Sequence, residues 1–561
     1  MKKFRWQLLI ILLTGLVVGL LLLLQQGSTT PALESTTSPI TGGIYTEALV
    51  GNFMRFNPLL DRYNQVDQDV DRLIFSSLVK FDATGMPQPD LAETWSYNSD
   101  GTRFTFSLRP NAYWHDGTPV TTQDIAFTIS LMKSENELVP NDLRQFWSEI
   151  QVDLVSDTVI EFALPEAFAP FLDYLGFQVL PSHLLGNLTL DQLVDHPFNL
   201  APVGSGPYKF SKFIVKDGAV SGVDLVANED YYGGRPYIDE VVFQYYPSEV
   251  EAWKAYQAGE VDGIAAISNT ILPEVLADPT LNLYSSRTPR LSIVFLNLNN
   301  SAKPFLQKAE FRQALMLAIN RQAILDNLLL GQGVLANGPI LPGNWAYYTD
   351  LANYPYDPDA AAQSIAALGI TRNEAGVMVT AEGVEVRLEL LVPQDDLHQQ
   401  IAARIKQGWE AAGVAVDLQV EPHDQVVASL AAHDYDAALV DIDLSGTPDP
   451  DPYPFWAQSQ AQDGQNYSQW SNRTASEYLE QARVTNDTTL RTKLYRNFQI
   501  LFHDELPSLP LFYPVYNYGV RNTVNGVSSG PVYDPSDRLK DIASWYILAG
   551  HVNPEITPTA Q

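Results

Sequence analysis

The 561-residue chain contains no cysteine. That absence removes disulfides, thiolate metal sites and a cysteine nucleophile, so stability must come from the packed core. Positive charge is scarce as well: 34 Lys and Arg stand against 66 Asp and Glu, a net charge of −32. A nucleic-acid binder needs a basic surface, and this composition argues against one. The acids are spread without long blocks, as on a surface kept soluble by charge rather than one aimed at a cationic ligand. The eight histidines include no His-Glu-x-x-His pair. No glycine-rich loop closes on Lys-Ser/Thr either, so zinc proteolysis and P-loop nucleotide hydrolysis lack their sequence requirements.

The N-terminus does carry an apolar run. Lys2, Lys3 and Arg5 precede Leu8 to Leu24, 17 residues without a charge. As a helix this reaches about 25 Å, against a bilayer core of about 30 Å. No Ala-x-Ala-like cleavage site follows it, so residues 1–26 are expected to be an uncleaved membrane anchor, with a long signal peptide as the alternative. The flanking cations favour a cytoplasmic N-terminus and put the rest of the chain outside. Residues 27–41, rich in Ser, Thr and Pro, read as a tether.

Residues 91–132 are the most informative stretch. Asn98-Ser99-Asp100-Gly101 is a turn signal, after which Phe104, Phe106 and Leu108 alternate with Arg103, Thr105, Ser107 and Arg109 as in a half-buried strand. His115-Asp116-Gly117-Thr118-Pro119 breaks the chain again. Thr121 with Asp124 then forms a capping-box pattern ahead of Ile125, Ile129 and Met132 at helical spacing. Upstream, Asp67, Asp69 and Asp71 precede Leu73, Ile74 and Phe75. A metal could use that spacing, but acids opening a helix and complementing its dipole are the expected reading.

In the second half Val384, Val386, Leu388, Leu390 and Val392 alternate; Ile401, Ile405, Trp409 and Ala412 share a helical face; Gly413 ends it; and Val414, Val416, Leu418 and Val420 alternate again. This β-α-β unit predicts a parallel α/β lobe. A short helix near Val426–Ala432 leads to a strand over Asp436–Ile442. Single helices are expected over Glu310–Arg321 and Tyr478–Phe502. Ligands of open α/β sheets sit beyond the carboxyl ends of strands, which directs attention to residues 441–456, DIDLSGTPDPDPYPFW.

That segment offers Asp441, Asp443, Asp449 and Asp451 beside Tyr453, Phe455 and Trp456. Paired acids suit glycoside hydrolysis, but a cleft with aromatic walls and a few orienting polar groups suits a binder better. Asp441 to Gly446 imitates the start of an EF-hand loop, yet Pro452 stands where the bidentate Glu is required.

The phrases LAETW, F-x-LR and HDGTP, then VGSGPYKF at 203–210, NEDYYGGRPYID at 228–239, AGEVD at 258–262 and EFRQALMLAINR at 310–321 resemble, in order, the family-5 extracellular solute-binding proteins of ABC importers. The resemblance covers about residues 42–515 and implies a two-lobed, type II-like periplasmic-binding-protein α/β fold with an extra α+β domain. It assigns residues 42–63, 182–290 and 506–550 to lobe one, 64–181 to the extra domain, 291–505 to lobe two and 551–561 to a tail, with hinge crossings near Arg287–Leu291 and Leu506–Phe512. It implies no enzymatic activity and no cofactor or metal. Instead it implies an extracytoplasmic, monomeric protein that captures di- or oligopeptides by lobe closure and hands them to a permease and ATPase. Other solutes, such as a nickel complex or a sugar, and a carboxylate-based surface hydrolase are the alternatives.

By the same resemblance Asn64, Gln65, Val66 and Asp67 would contact an extended ligand. Asp449-Pro450-Asp451 matches a phrase near which relatives place an aspartate against the peptide's amino group. Here Leu444-Ser445-Gly446 occupies that upstream place, with Asp443 the nearest acid. Relatives tethered through a lipidated cysteine have no counterpart in this cysteine-free chain.

Overall fold

The computed structural model describes residues 39–444, 448–462, 464–528 and 530–548. The expected anchor, the linker up to residue 38 and the tail lie outside the described residues, as do Ser445 and Gly446. Among the described residues no helix is long and apolar enough to cross a membrane.

The alternation over Arg103–Leu108 forms a strand that buries Phe104, Phe106 and Leu108. Its hairpin with Ala92–Tyr97 is closed by the Asn98 side-chain oxygen, which accepts from the amides of Thr102 and Arg103 at 3.0 and 2.9 Å. Thr121 and Asp124 make the expected reciprocal cap on the helix Thr122–Met132. With Gln151–Ser156 and Val159–Ala163 the hairpin completes a four-stranded antiparallel sheet. An aromatic core including Trp114, Trp147, Phe162 and Phe171 lies beneath it.

A twelve-stranded sheet runs through the rest of the body. At one end Arg387–Pro393 and Ala415–Glu421 pair in parallel, joined by the helix Asp396–Ala411, which is the β-α-β unit read from the sequence. Two details differ. Val384, Val386 and Val414 lie outside the strands, and Leu418 and Val420 are 36% and 41% exposed, because Ala415–Glu421 is the sheet's edge and has a neighbour on one side only. The expected helices also break. Ala309–Leu317 and Arg321–Leu328 are separate, the second restarted where Asn320 accepts from the Ala323 amide at 2.9 Å. Arg473–Val484 and Thr488–Glu505 are likewise separate, with Asp487 capping the latter. Apolar periodicity continues across such restarts; a single capping residue decides them.

The long strand Ser508–Arg521 joins the two ends of the sheet. Its first half pairs with Arg290–Leu296 and its second with Leu281–Arg287. Between those partners the chain passes through Thr288, whose amide and hydroxyl both donate to the Pro514 carbonyl, at 3.3 and 2.9 Å. The segment 203–210 packs its glycines against the end of the helix Gln65–Ile74. A Cβ on Gly204 would lie 1.9 Å from the Ile74 carbonyl oxygen, so these glycines serve a close backbone approach ahead of the strand Tyr208–Lys216.

Candidate functional site

Asn64 caps the helix Gln65–Ile74, accepting from the Val66 amide at 3.3 Å and donating to Asp67 at 2.7 Å. Asp67 is fully buried and receives the amides of Met54 and Arg55, the latter at 2.9 Å. Burial pushes its carboxyl up to about 6 against these donors. Val66 belongs to the apolar core, and Gln65 reaches Asp69 and Asp534. Of the Asp67, Asp69 and Asp71 set, only Asp67 sits in the helix's first turn, and all three are buried. The dipole reading therefore accounts for one of them. Asp69 instead binds the buried Arg538, which also pairs with Glu47 at 2.7 Å. Asp71 faces Asp61.

In the second segment Asp441 lies 3.5 Å from His398 Nε2. Burial disfavours the imidazolium, but Asp441 and Asp395 outweigh it and raise the His398 pKa. Asp443 lies 3.7 Å from Arg290. Asp449 is buried against Arg491 in a two-pronged pair at 2.6 and 2.9 Å, with Tyr495 alongside. Its amide donates to the Asp173 carboxyl, which burial and then the Asp449 charge push well above the ordinary range. Asp451 pairs with Arg483 at 3.1 Å, and burial lifts its carboxyl to about 6. The Arg483 guanidinium lies between the rings of Tyr453 (4.3 Å) and Phe168 (5.1 Å). Trp456 is a core residue, 2% exposed and packed on Phe295 and Phe502. The Trp456 and Val66 side chains are thus both taken up by the core, which leaves the Val66 main chain as the part of that residue open to the expected contact with an extended ligand.

One cavity has a volume of about 1080 Å³. The helix Gln65–Ile74 contributes Gln68 and Arg72, the two-stranded hairpin Val79–Phe81/Pro87–Pro89 contributes Lys80, the ends of the four-stranded sheet contribute Asp90 and Arg109, and the C-terminal segment contributes Tyr533, Asp537 and Lys540. Pro448 reaches in from the other end of the large sheet. An adjoining cavity of about 200 Å³ shares Tyr174, Pro448 and Tyr533 with the first and takes Asp443, Asp449 and Asp451 into its wall. Asn64 to Asp67, Asp441, Tyr453 and Trp456 line neither.

Hydrogen bonds close the body around these cavities. The Trp345 amide donates to the Thr84 carbonyl at 2.9 Å, and Asn344 donates to Pro448 and Tyr533 at 2.8 and 3.1 Å. Gly85, at φ +84°, lies where a Cβ would come within 2.6 Å of the Tyr533 hydroxyl.

Residues 86–466 match the family described as bacterial extracellular solute-binding proteins, family 5 Middle. The chain is a family-5 extracellular solute-binding protein. It is 25% identical over 497 residues to the dipeptide-binding protein of Escherichia coli (strain K12), covering 85% of this chain and 90% of that one. It is 25% identical to the oligopeptide-binding protein AppA of Bacillus subtilis (strain 168), over 93% and 95% of the two chains. NikZ from Campylobacter jejuni, solved in complex with Ni(L-His), superposes with a TM-score of 0.64 at 25% identity, over 90% and 99%. HbpA2 from Haemophilus parasuis, at 22% identity, shares the fold with a TM-score of 0.79 over 90% and 100%.

This family-5 protein therefore has the multi-domain, type II-like periplasmic-binding-protein fold, binds a solute rather than transforming one, and works outside the cytoplasm in an ABC import system. A Gly-x-Ser-x-Gly spacing does occur at 526–530. Ser528 there gives its hydroxyl to Asp541 at 2.6 Å, and no histidine lines the cavity it borders. The polar residues of the cleft that sequence reasoning passed over, among them Arg72, Lys80, Arg109, Asn344, Tyr533 and Lys540, come from four separate stretches. Only tertiary structure assembles them; the Asn98 turn, the Thr121 cap and the family phrases gave no sign of it.

Proposed function

We propose that the protein captures short peptides in the 1080 Å³ cavity and presents the closed form to the permease of an ABC importer. The observation that carries this reading is the cavity itself. Its volume is at the upper end of small-ligand sites, about 300–1,000 Å³, as a ligand of a few residues needs. The relatives' names, dipeptide-binding and oligopeptide-binding, support the class. Lobe one, the extra domain and lobe two, bounded as the family pattern implies, would close by flexure at the chain crossings near 287–291 and 506–512. The N-terminal segment would tether a monomer to the membrane.

Asp443 is the acid we assign to a peptide's amino end, as the carboxylate nearest the position the family resemblance implies and part of the wall of the adjoining cavity. Native mass spectrometry of the purified protein, followed by thermal-shift screening with di- and tripeptides, tests the reading. A specific ligand at a hundredfold excess over its Kd adds about 2.7 kcal/mol. If no peptide raises the Tm while a sugar or a nickel chelate does, the peptide assignment fails.

A further inference from the structure

Asp173 stands at the seam between two separately packed parts of the body. It lies on the turn Ala169–Leu175, whose Phe171 and Leu175 belong to the aromatic core under the four-stranded sheet. Across the seam are the loop with Asp449 and Asp451, the helix Arg473–Val484 with Arg483 and the helix Thr488–Glu505 with Arg491, packed on a different core that includes Trp456, Leu479 and Phe498. The Asp173 carboxyl crosses the seam to accept the Asp449 amide, and it is 8% exposed.

The charges gathered there do not balance. Asp173, Asp449 and Asp451 are three carboxylates against two guanidiniums, and both guanidiniums are engaged: Arg491 with Asp449 at 2.6 and 2.9 Å, Arg483 with Asp451 at 3.1 Å. The Asp449 amide orients the Asp173 carboxyl without neutralising its charge. The neighbouring hairpin Val79–Phe81/Pro87–Pro89 brings no remedy, since Lys80 is exposed and acts on Asp90, and Asp82 is a further acid. Tyr174, Tyr495 and Tyr533 stay neutral, their hydroxyl pKa raised by burial. Burial, then the Asp449 charge, raise the pKa of Asp173 well above the ordinary value, against the lesser pull of Arg491. Once the two parts separate, this carboxyl meets water, where an aspartate titrates near 3.9.

Resting on the closure proposed above but not on the identity of the solute, we propose that Asp173 takes up a proton whenever the part built on the four-stranded sheet closes onto the loop 449–451, and returns it on opening. The closed form then binds one proton more than the open form, so closure is favoured at low pH and weakens as pH rises toward the raised pKa. For one proton the closed-to-open ratio falls by up to about tenfold per pH unit. Below about pH 4 both forms carry the proton and the dependence ends. Solute is held more firmly in acidic surroundings and let go more readily in alkaline ones.

The absence of cysteine makes the motion directly measurable. Spin labels on Gln145→Cys, in the helix Asn141–Glu149, and Lys493→Cys, in the helix Thr488–Glu505, occupy two exposed positions on opposite sides of the seam. Pulsed electron-resonance distances are read on the solute-free protein at pH 7 and 8, where Asp451, lifted to about 6, stays ionised in both samples. The closed-to-open ratio is expected to fall by up to about tenfold between them. Asp173→Asn keeps an acceptor for the Asp449 amide and cannot ionise, so its ratio should be the same at both values. With the open form present, an unchanged ratio in the parent, a closed fraction of zero included, overturns proton-linked closure and leaves peptide capture standing. A fall that persists in Asp173→Asn overturns it as well, by placing the proton elsewhere. The closed distance alone at both values removes the closure reading and the inference together.

Discussion

Replacing Asp71 with Asn should change how stability depends on pH. Asp71 is fully buried and, among the described residues, has no ion-pair partner; its polar neighbours include the Asp61 carboxyl and the Asn57 amide. Burial, then the charges of Asp61 and Asp67, push its pKa well above the ordinary value, and burial lifts Asp61 to about 8. The folded protein therefore holds a proton that the unfolded chain, with Asp near 3.9, gives up. Stability from that proton is fully present below about pH 4 and is lost as pH rises toward the raised pKa of the pair, about 8 for Asp61, at about 1.4 kcal/mol per pH unit. Between pH 5 and pH 8 the loss amounts to about 4 kcal/mol.

An asparagine keeps the shape, cannot ionise and donates to Asp61. Asp71→Asn should accordingly be near neutral at pH 5 and more stable than the parent at pH 8 by up to about 4 kcal/mol. Urea unfolding followed by tryptophan fluorescence at four pH values reads this directly. If the curves of parent and variant run parallel from pH 5 to 8, no proton is shared there and the reasoning fails. Asp61→Asn should flatten the curve equally, and the double variant no further.

Arg491→Met strands the buried Asp449 carboxylate and should cost about 3–5 kcal/mol in urea unfolding, much of it recovered by adding Asp449→Asn. Trp456→Ala should cost about 3–5 kcal/mol as a core truncation, with solute affinity of the folded protein unchanged; a loss of affinity without a loss of stability would return Trp456 to the ligand wall. Arg483→Gln removes the cation held between Phe168 and Tyr453. It should weaken solute binding by about fivefold and enlarge the radius of gyration in small-angle scattering of the ligand-bound protein. Unchanged values on both counts would show that this contact does not hold the closed form.

Local structure was legible wherever one residue type decides it. The Asn98 turn, the Thr121 cap and the β-α-β unit stand where their patterns placed them. Helix continuity was not, because Asn320 and Asp487 restart helices inside unbroken apolar periodicity. The family was legible from ordered phrases, but those phrases belong mostly to scaffold. Arg109 of the F-x-LR phrase is the exception, since it also reaches the cavity. The fate of each acid was not legible at all. Asp67, Asp69 and Asp71 differ in nothing that spacing records, yet one binds amides, one an arginine and one another carboxyl.

The strand Ser508–Arg521 also sets the order in which the molecule can be built. Leu281–Arg287 and Arg290–Leu296 both wait for it, and Ile44–Val50 sits between Glu240–Tyr246 and Gly263–Ile264. An emerging chain thus presents its first strand long before either neighbour exists, and the two halves of the large sheet are not joined until the segment near residue 521 has arrived. Pairing over such sequence separations folds slowly and leaves edges open meanwhile. A chain carried across a membrane N-terminus first would therefore remain threadable for most of its passage, and would need shielding on the far side until its last long strand is delivered.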